Sequence, residues 1–175
     1  MLFDLLRQRR SVRKYTDEMI PDEKTKPHDM PEIIRATKTA QQAGAYYVRI
    51  QAMARKHHIA LEQEFDEHDT PDTKYIVLID DYLPVATCRL YPMDDERMML
   101  GRIVVLPEYR GKGLGRMVVE AAEVWAKELG YGIAVLESRE GKVGFYEKLG
   151  YTADFCNVIH GETFTCVHME KRISH

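Results

Sequence analysis

Cysteine is scarce in this chain, and its scarcity excludes a disulfide-stabilised fold. Three of the 175 residues are cysteines, at Cys88, Cys156 and Cys166. An odd number at such wide spacing does not make the framework of a small secreted domain, so we expect reduced thiols. The seven histidines occur in no HExxH pattern and the cysteines in no CxxC pattern. We therefore predict no metal site.

Long apolar runs are also missing. A membrane-spanning helix needs about 18 or more consecutive apolar residues, and no such stretch occurs. Asp4 and Arg7 stand where a signal peptide would be apolar, so we expect a cytoplasmic location. The net charge is −3, which argues against a protein that coats nucleic acid. We expect neither a nucleic-acid partner nor a membrane partner.

The composition changes near residue 30. Residues 1–30 contain a short apolar stretch, a run rich in arginine and lysine over Arg7–Lys14, and then prolines in a charged segment. We interpret this part as a basic N-terminal extension made of a helix and a linker. Residues 31–175 are long enough to form one domain with a sizeable core.

Apolar periodicity in the main domain predicts alternating strands and helices. Strands are expected over 32–37, 75–79, 85–90, 98–105 and 133–136, with a final hairpin over 151–159 and 163–172. Helices are expected over about 46–60, 113–129 and 141–149. This order indicates an α+β fold, a mixed central sheet with helices on both faces. The inward positions expected for helix 113–129 are Leu114, Met117, Val118, Ala121, Trp125 and Leu129.

The most informative segment is a glycine-rich turn between a strand and a helix, Arg110-Gly111-Lys112-Gly113-Leu114-Gly115. Glycines allow a backbone to approach a ligand closely. The first amide groups of a helix have no partner within it and carry the positive end of its dipole. A pyrophosphate suits that position, and Arg110, Lys112 and Arg116 add positive charge.

Two common nucleotide motifs do not fit this turn. The chain has no G-x-x-x-x-G-K-[ST] sequence, so it has no Walker-type loop. The dinucleotide pattern G-x-G-x-x-G fails because Arg116 occupies the position of the last glycine.

The turn does match R-x-x-G-x-G, and here the chain resembles a known family. Residues 105–115 resemble the acetyl-coenzyme A loop of the GCN5-related N-acetyltransferases (GNAT), and residues 144–151, Gly-Phe-Tyr-Glu-Lys-Leu-Gly-Tyr, resemble the second signature of that family. Residues 59–69 are similar to the acidic stretch of a small bacterial branch related to YjcF and ElaA proteins.

The resemblance implies an enzyme that transfers an acetyl group from acetyl-coenzyme A directly to a primary amine of a small molecule or peptide. It implies that the strand before the loop bends away from its neighbour, that Val104 offers a backbone N–H to the thioester oxygen, and that Tyr146 is the general acid. The residues implied in cofactor binding are Ile103, Val104, Val105, Arg110, Gly111, Lys112, Gly113, Leu114, Gly115, Arg116 and Tyr146. Arg139 is a further candidate for cofactor binding by its charge, either as a contact to phosphate or, alternatively, as a solvated helix charge.

The acceptor and the general base stay open at this point. Base candidates are Glu96 and Glu137 by position, and His57 and His58 by their intrinsic pKa. The acidic residues at 62, 64, 66, 67 and 69 either attract a cationic amine or are solvated loop charges. The assembly is open too, with a homodimer as one alternative.

Two other functions compete with acetyl transfer. The family usually has asparagine or glutamine at the position of Arg139 and alanine at that of Lys142, and the YjcF-related branch usually has Glu-Gln where Lys56-His57 stands. These departures fit an acyl-coenzyme A sensor without turnover. Residues 5–23 are similar to the start of flavin-dependent nitroreductases, whose Arg-Ser-x-Arg portion contacts FMN. The likeness is short, and a packed helix and arm is the simpler interpretation.

Overall fold

A computed structural model describes residues 30–161 and 163–173. Its seven strands form one sheet in the order β1-β2-β3-β4-β5-β7-β6. The strands are β1 Glu32–Ala36, β2 Lys74–Asp80, β3 Leu83–Pro92, β4 Arg97–Val105, β5 Ile133–Arg139, β6 Thr152–His160 and β7 Thr165–Arg172. Neighbours are antiparallel except β4 and β5, which are parallel. The predicted mixed sheet is confirmed, whereas the basic extension falls on residues outside the described ranges.

The helices cover both faces of the sheet, as the sequence predicts. They are α1 Thr39–Arg49, which continues through a π-helical turn Ile50–Ala54 into α2 Arg55–His57, then α3 Leu61–Glu64, α4 Leu114–Glu128 and α5 Val143–Glu147. Alternate residues of a strand point to opposite faces. In β2, Tyr75 and Val77 therefore pack with Ala45 of α1, while Ile76 and Leu78 join the core that includes α4. Within the described ranges, no helix has the length and apolar character to cross a bilayer.

Two details of the helices differ from the prediction. The first helical region begins at Thr39, not near Tyr46, because the Ala- and Gln-rich segment before Tyr46 lacks the apolar periodicity that marks a helix. Helix α4 buries Leu114, Val118 and Trp125 as predicted, but Leu129 follows the helix and is 41% exposed. Ala122 and Ala126 complete the buried face instead.

A network of arginines and carboxylates fixes the α3 segment to the sheet. Arg49 is 0% exposed and donates to Glu64 at 2.8 Å and to Asp69 at 2.5 Å. Arg89 of β3 donates to Asp66 and Asp69, both at 2.7 Å. Each carboxylate thus faces guanidinium groups, which offsets the cost of removing these charges from water.

Asp69 is the centre of this network. It accepts hydrogen bonds from Arg49, Arg89 and the Tyr75 hydroxyl, and also from the backbone N–H of Asp66 at 3.0 Å. Burial alone would raise the pKa of Asp69, but the bonds from Arg49 and Tyr75 outweigh it and hold that pKa well below its usual range.

We expect Asp69→Ala to lower the free energy of unfolding by about 3–5 kcal/mol, because it leaves buried guanidinium groups unpaired. The matched control is Glu128→Ala, which removes an exposed ion pair with Arg35 and is expected to cost about 1 kcal/mol or less. Urea unfolding at neutral pH measures both. Equal losses in the two variants would contradict a structural role for the network.

The same carboxylate predicts a pH dependence. The folded pKa of Asp69 is depressed, so the unfolded chain takes up the proton first as the pH falls. The stabilisation is therefore present at neutral pH and is lost progressively below about pH 5. In Asp69→Asn the decline between pH 7 and pH 4, measured by urea unfolding, is expected to be shallower than in the unsubstituted chain.

Candidate active site

The central feature of the site is a gap between two parallel strands. β4 and β5 pair only at their beginnings, where Arg97–Met99 lie opposite Ile133–Val135. Beyond Met99, β4 continues beside β3, while β5 continues beside β7 as far as Arg139. The later part of β4 therefore has an edge that β5 does not cover. This confirms that the strand before the loop leaves its neighbour.

A β-bulge lies where the strands separate. The register between β3 and β4 shifts between Thr87 and Arg89, and Arg102 has a φ of 49°. Positive φ is unfavourable for a residue other than glycine. The Arg102 side chain is held by Glu64, whose carbonyl accepts from Nε at 3.1 Å, and by Asp66, which accepts from Nη2 at 3.0 Å. The acidic stretch thus holds Arg102, the residue at which β4 changes direction, in its strained conformation.

The register shows which backbone groups face the gap. Val104 lies opposite Thr87 of β3, and the Leu106 N–H donates to the Val85 carbonyl of β3 at 2.9 Å. Alternate residues of a strand direct their N–H groups to the same neighbour, so the Val104 N–H also points toward β3. Val104 as donor to the thioester oxygen is therefore a correction. Ile103 and Val105 present their backbone groups on the open side.

An independent contact supports this direction. The Val105 carbonyl accepts a hydrogen bond from Arg110 Nε at 3.1 Å, so this carbonyl is not used by β3. The sequence alone could not distinguish Val104 from its neighbours, because the direction of an N–H depends on the pairing register and on the bulge.

The glycine-rich turn has the geometry of an anion site. After a 3-10 turn over Pro107–Tyr109, Gly111 and Gly113 have φ values of 77° and 83°, and Gly113 is the N-cap of α4. No side chain caps this end of the helix, and its first turn has no acidic residue. The first amide groups of α4 are thus free to bind a negatively charged group.

The basic side chains of the turn are differently engaged. Arg110 is exposed and reaches back to Val105, whereas the Lys112 ammonium lies 4.8 Å from the centre of the Tyr109 ring. Arg116 forms an exposed ion pair with Glu120 at 3.3 Å. Leu114 is buried, and Gly115 lies close to Phe145, because a Cβ there would stand 3.4 Å from the Phe145 ring.

Tyr146 lies in α5 and is half-buried, packed against the main core. Its ring meets those of Phe145 and Tyr151 edge to face, at 4.9 Å and 6.1 Å between centroids. Burial raises the pKa of Tyr146 above the usual range of a phenol, while the charge of Arg139 lowers it. The phenol is therefore protonated at neutral pH and can donate a proton.

Arg139 ends β5 and faces the side of the sheet that α1 covers. Its Nη2 lies 3.2 Å from Met53 Sδ, and its guanidinium lies 3.4 Å from the centre of the Phe164 ring. The His57 ring meets Phe164 edge to face at 5.2 Å. Sequence reasoning singled out Arg139 and His57 separately but missed Phe164, because no motif marks a residue in the β6–β7 turn.

The structure also changes the interpretation of the acidic stretch, residues 59–69. Glu64, Asp66 and Asp69 are engaged by arginines, so for these three both interpretations, attraction of a cationic acceptor and solvated charge, were wrong. Glu62 and Glu67 are exposed. Pairing between segments distant in sequence is invisible in a charge pattern.

The base candidates lie in different places. Glu96 precedes β4 at the end opposite the glycine-rich turn, about 25 Å from Val104 at the rise of a strand. Glu137 is exposed on β5, two positions before Arg139. Burial, together with the charges of Arg139 and Lys56, lowers the pKa of His57. His58 is exposed and ends α2 with a φ of 55°.

Among the described residues, no group of three or more His, Cys, Asp or Glu side chains is arranged to hold a metal.

Comparison with known proteins bears on this geometry. The model of the "Acetyltransferase (GNAT) family" matches residues 33–151. YjcF of Bacillus subtilis, an uncharacterised N-acetyltransferase, is 32% identical over 116 residues, which cover 66% of this chain and 81% of YjcF. The comparisons give no support to the nitroreductase resemblance.

Solved structures share the fold. A "putative N-acetyltransferase" from Lactobacillus plantarum superimposes with a TM-score of 0.78 at 31% identity, over 83% of this chain and 100% of that one. Escherichia coli ElaA gives 0.68 at 18% identity, over 82% and 100%. A GNAT family acetyltransferase from Elizabethkingia anophelis, with acetyl-coenzyme A bound, gives 0.62 at 16% identity, over 82% and 99%.

The family model covers both signatures that the sequence suggested, the glycine-rich loop and the segment around Tyr146. The divergent strands, the uncapped helix end and the sheet order agree with it. The chain belongs to the acetyltransferase (GNAT) family and is an N-acetyltransferase of that family.

Proposed function

We propose that this protein transfers the acetyl group of acetyl-coenzyme A directly to a primary amine of a small molecule or peptide. The observation that carries the proposal is the uncovered edge of β4, which leads straight into an uncapped helix end. A long donor with a phosphate-rich end and an amide-containing arm matches these two features together. The acetyl-coenzyme A bound to the Elizabethkingia anophelis neighbour supports the same donor.

In the proposed complex, the first amides of α4 and the side chains of Arg110, Lys112 and Arg116 hold the pyrophosphate. Arg110 then exchanges the Val105 carbonyl for a phosphate oxygen, which frees that carbonyl and the Val105 N–H for the amides of the pantetheine arm. Phosphate is the stronger partner, because both groups are charged.

The acyl end of the donor lies farther from the pyrophosphate than the pantetheine amides do. Ile103 is two positions farther from the turn than Val105 and directs its N–H to the same open side. We therefore propose the Ile103 N–H, in place of that of Val104, as the donor that stabilises the developing oxyanion. Tyr146 then protonates the departing thiolate of coenzyme A.

The sequence also suggests a protein that binds acyl-coenzyme A without turnover, and that alternative has only sequence departures, such as those at Arg139 and Lys142, in its favour. Both functions require the same donor site, so binding alone does not separate them. Thiol release in the presence of an amine panel does, because a sensor releases none. The flavin alternative depends on residues outside the described ranges, and absence of FMN binding by the full chain would eliminate it.

We expect Gly113→Ala to weaken acetyl-coenzyme A binding by about tenfold, equivalent to 1.4 kcal/mol. A methyl group at φ 83° strains the turn and occupies the space beside the helix end. The matched control is Gly130→Ala at the other end of α4, where φ is 98° and no atom lies within 4 Å of the added Cβ either.

Both glycine variants are expected to lose similar stability, about 1 kcal/mol, because both force alanine into a left-handed conformation. Isothermal titration calorimetry then separates binding from folding. The donor site would lie elsewhere if the two variants bound acetyl-coenzyme A equally well.

We expect Tyr146→Phe to reduce kcat about 10²-fold while the Kd for coenzyme A stays within about twofold, since the ring and its packing remain. Tyr151→Phe is the control, because it removes a hydroxyl from the neighbouring ring of the same aromatic cluster. Steady-state thiol release with an accepted amine measures both. Unchanged kcat in Tyr146→Phe would show that another group serves as the acid.

A further inference from the structure

Arg139 differs from the other buried or half-buried arginines of the described chain in having no carboxylate partner there. Arg49, Arg89, Arg97 and Arg102 each form ion pairs. Arg139 instead contacts a thioether sulfur and the face of an aromatic ring. A half-buried cation without an anion loses hydration that a thioether and an aromatic ring replace only in part.

The surroundings of Arg139 increase the positive potential. His57 contacts the Phe164 ring, which Arg139 also contacts. The pKa of His57 is lowered by burial and by the charges of Arg139, Lys56 and Arg110. Burial, together with Arg110, also lowers the pKa of Arg139. Three separate segments, the end of α2, the glycine-rich turn and the end of β5, therefore direct positive charge to one place beside Tyr146.

We infer that Arg139, with His57 beside it, receives an anionic group of the acceptor, a carboxylate or a phosphate, so that the natural acceptor carries both an amine and an anion. This inference rests on the proposed function, because it names the substrate class of that site. The Phe164 ring holds the Arg139 guanidinium in place by cation–π contact.

A carboxylate lies on the same strand as Arg139. Glu137 lies two positions before Arg139 on β5, on the same face of the sheet, and forms no ion pair within the described residues. Two positions along a strand correspond to about 7 Å. One strand thus presents a negative and a positive side chain on the same face of the sheet.

The cofactor phosphates are the other source of an anion for Arg139, and sequence analysis assigned Arg139 to them. The structure favours the acceptor, because the partners of Arg139 are Met53 of the π-helical turn and Phe164. Met53 belongs to the π-helical turn after α1 and Phe164 to the turn between β6 and β7, so neither contact of Arg139 is part of the glycine-rich turn or of α4.

The test compares acceptors in matched pairs, with and without the anionic group: β-alanine with β-alaninamide, and phosphoethanolamine with ethanolamine. We expect the unsubstituted enzyme to prefer the anionic member in kcat/KM. Arg139→Gln is expected to reduce that preference about tenfold or more, and Arg139→Lys to retain most of it. Lys142→Gln, which removes an exposed cation three positions later, is the control and keeps the preference.

A second measurement needs no turnover. The pKa of His57 is followed by NMR in the full-length protein saturated with coenzyme A, while acetate or inorganic phosphate is added. An anion at Arg139 is expected to raise the pKa of His57, since it offsets the neighbouring cations, and this rise is expected to disappear in Arg139→Gln.

The outcomes separate the inference from the proposed function. No preference within any accepted pair, or a His57 pKa that does not respond to either anion, overturns the inference. So does an Arg139→Gln variant that loses affinity for coenzyme A but keeps the acceptor preference, because Arg139 then serves the cofactor phosphates. Failure of the unsubstituted protein to bind acetyl-coenzyme A overturns the proposed function instead.

Discussion

The separation of β4 from β5 is the constraint on which the rest of the site depends. Parallel strands normally continue to pair, since unpaired backbone groups inside a protein cost free energy. Here the pairing stops after Met99 and Val135, and the bulge at Arg102 turns β4 aside. The backbone N–H and C=O groups of β4 that β5 leaves unpaired can form hydrogen bonds with the amides of an extended ligand, as in β-strand addition.

A strained bulge persists only when its surroundings hold it. The carbonyl of Glu64 and the carboxylate of Asp66 hold the Arg102 guanidinium, and both belong to the segment that Arg49 and Arg89 fix to the sheet. The buried ion pairs therefore have a second effect besides fixing the α3 segment to the sheet. They transmit the position of α3 to the strand that lines the gap, so the binding edge is preorganised before any ligand arrives.

The sequence reveals the parts of this arrangement that depend on local chemistry. Glycine at 111 and 113 before an amphipathic helix predicts the turn, and the apolar runs predict the strands, because both signals are contained in a few neighbouring residues. The position of the bulge is not predictable in this way, since arginine is not a residue that favours positive φ. The direction of the Val104 N–H and the pairing of Glu64, Asp66 and Asp69 depend on register and on contacts between distant segments. These properties exist only once the sheet has formed.

The distribution of charge links the architecture to the choice of substrate. One interpretation of the acidic stretch in the sequence was a site that attracts cations. In the structure, Glu64, Asp66 and Asp69 form ion pairs with Arg49, Arg89 and Arg102. These ion pairs leave little negative potential to attract a cationic substrate. Arg139, on the neighbouring strand beyond the gap, forms no ion pair with these carboxylates, and among them only the charge of Glu64 acts on it at a distance. The ion pairs that hold β4 in place thus also remove negative charge from the acceptor side. A change in the acidic stretch is therefore expected to alter strand geometry and the local potential together, because the same carboxylates determine both.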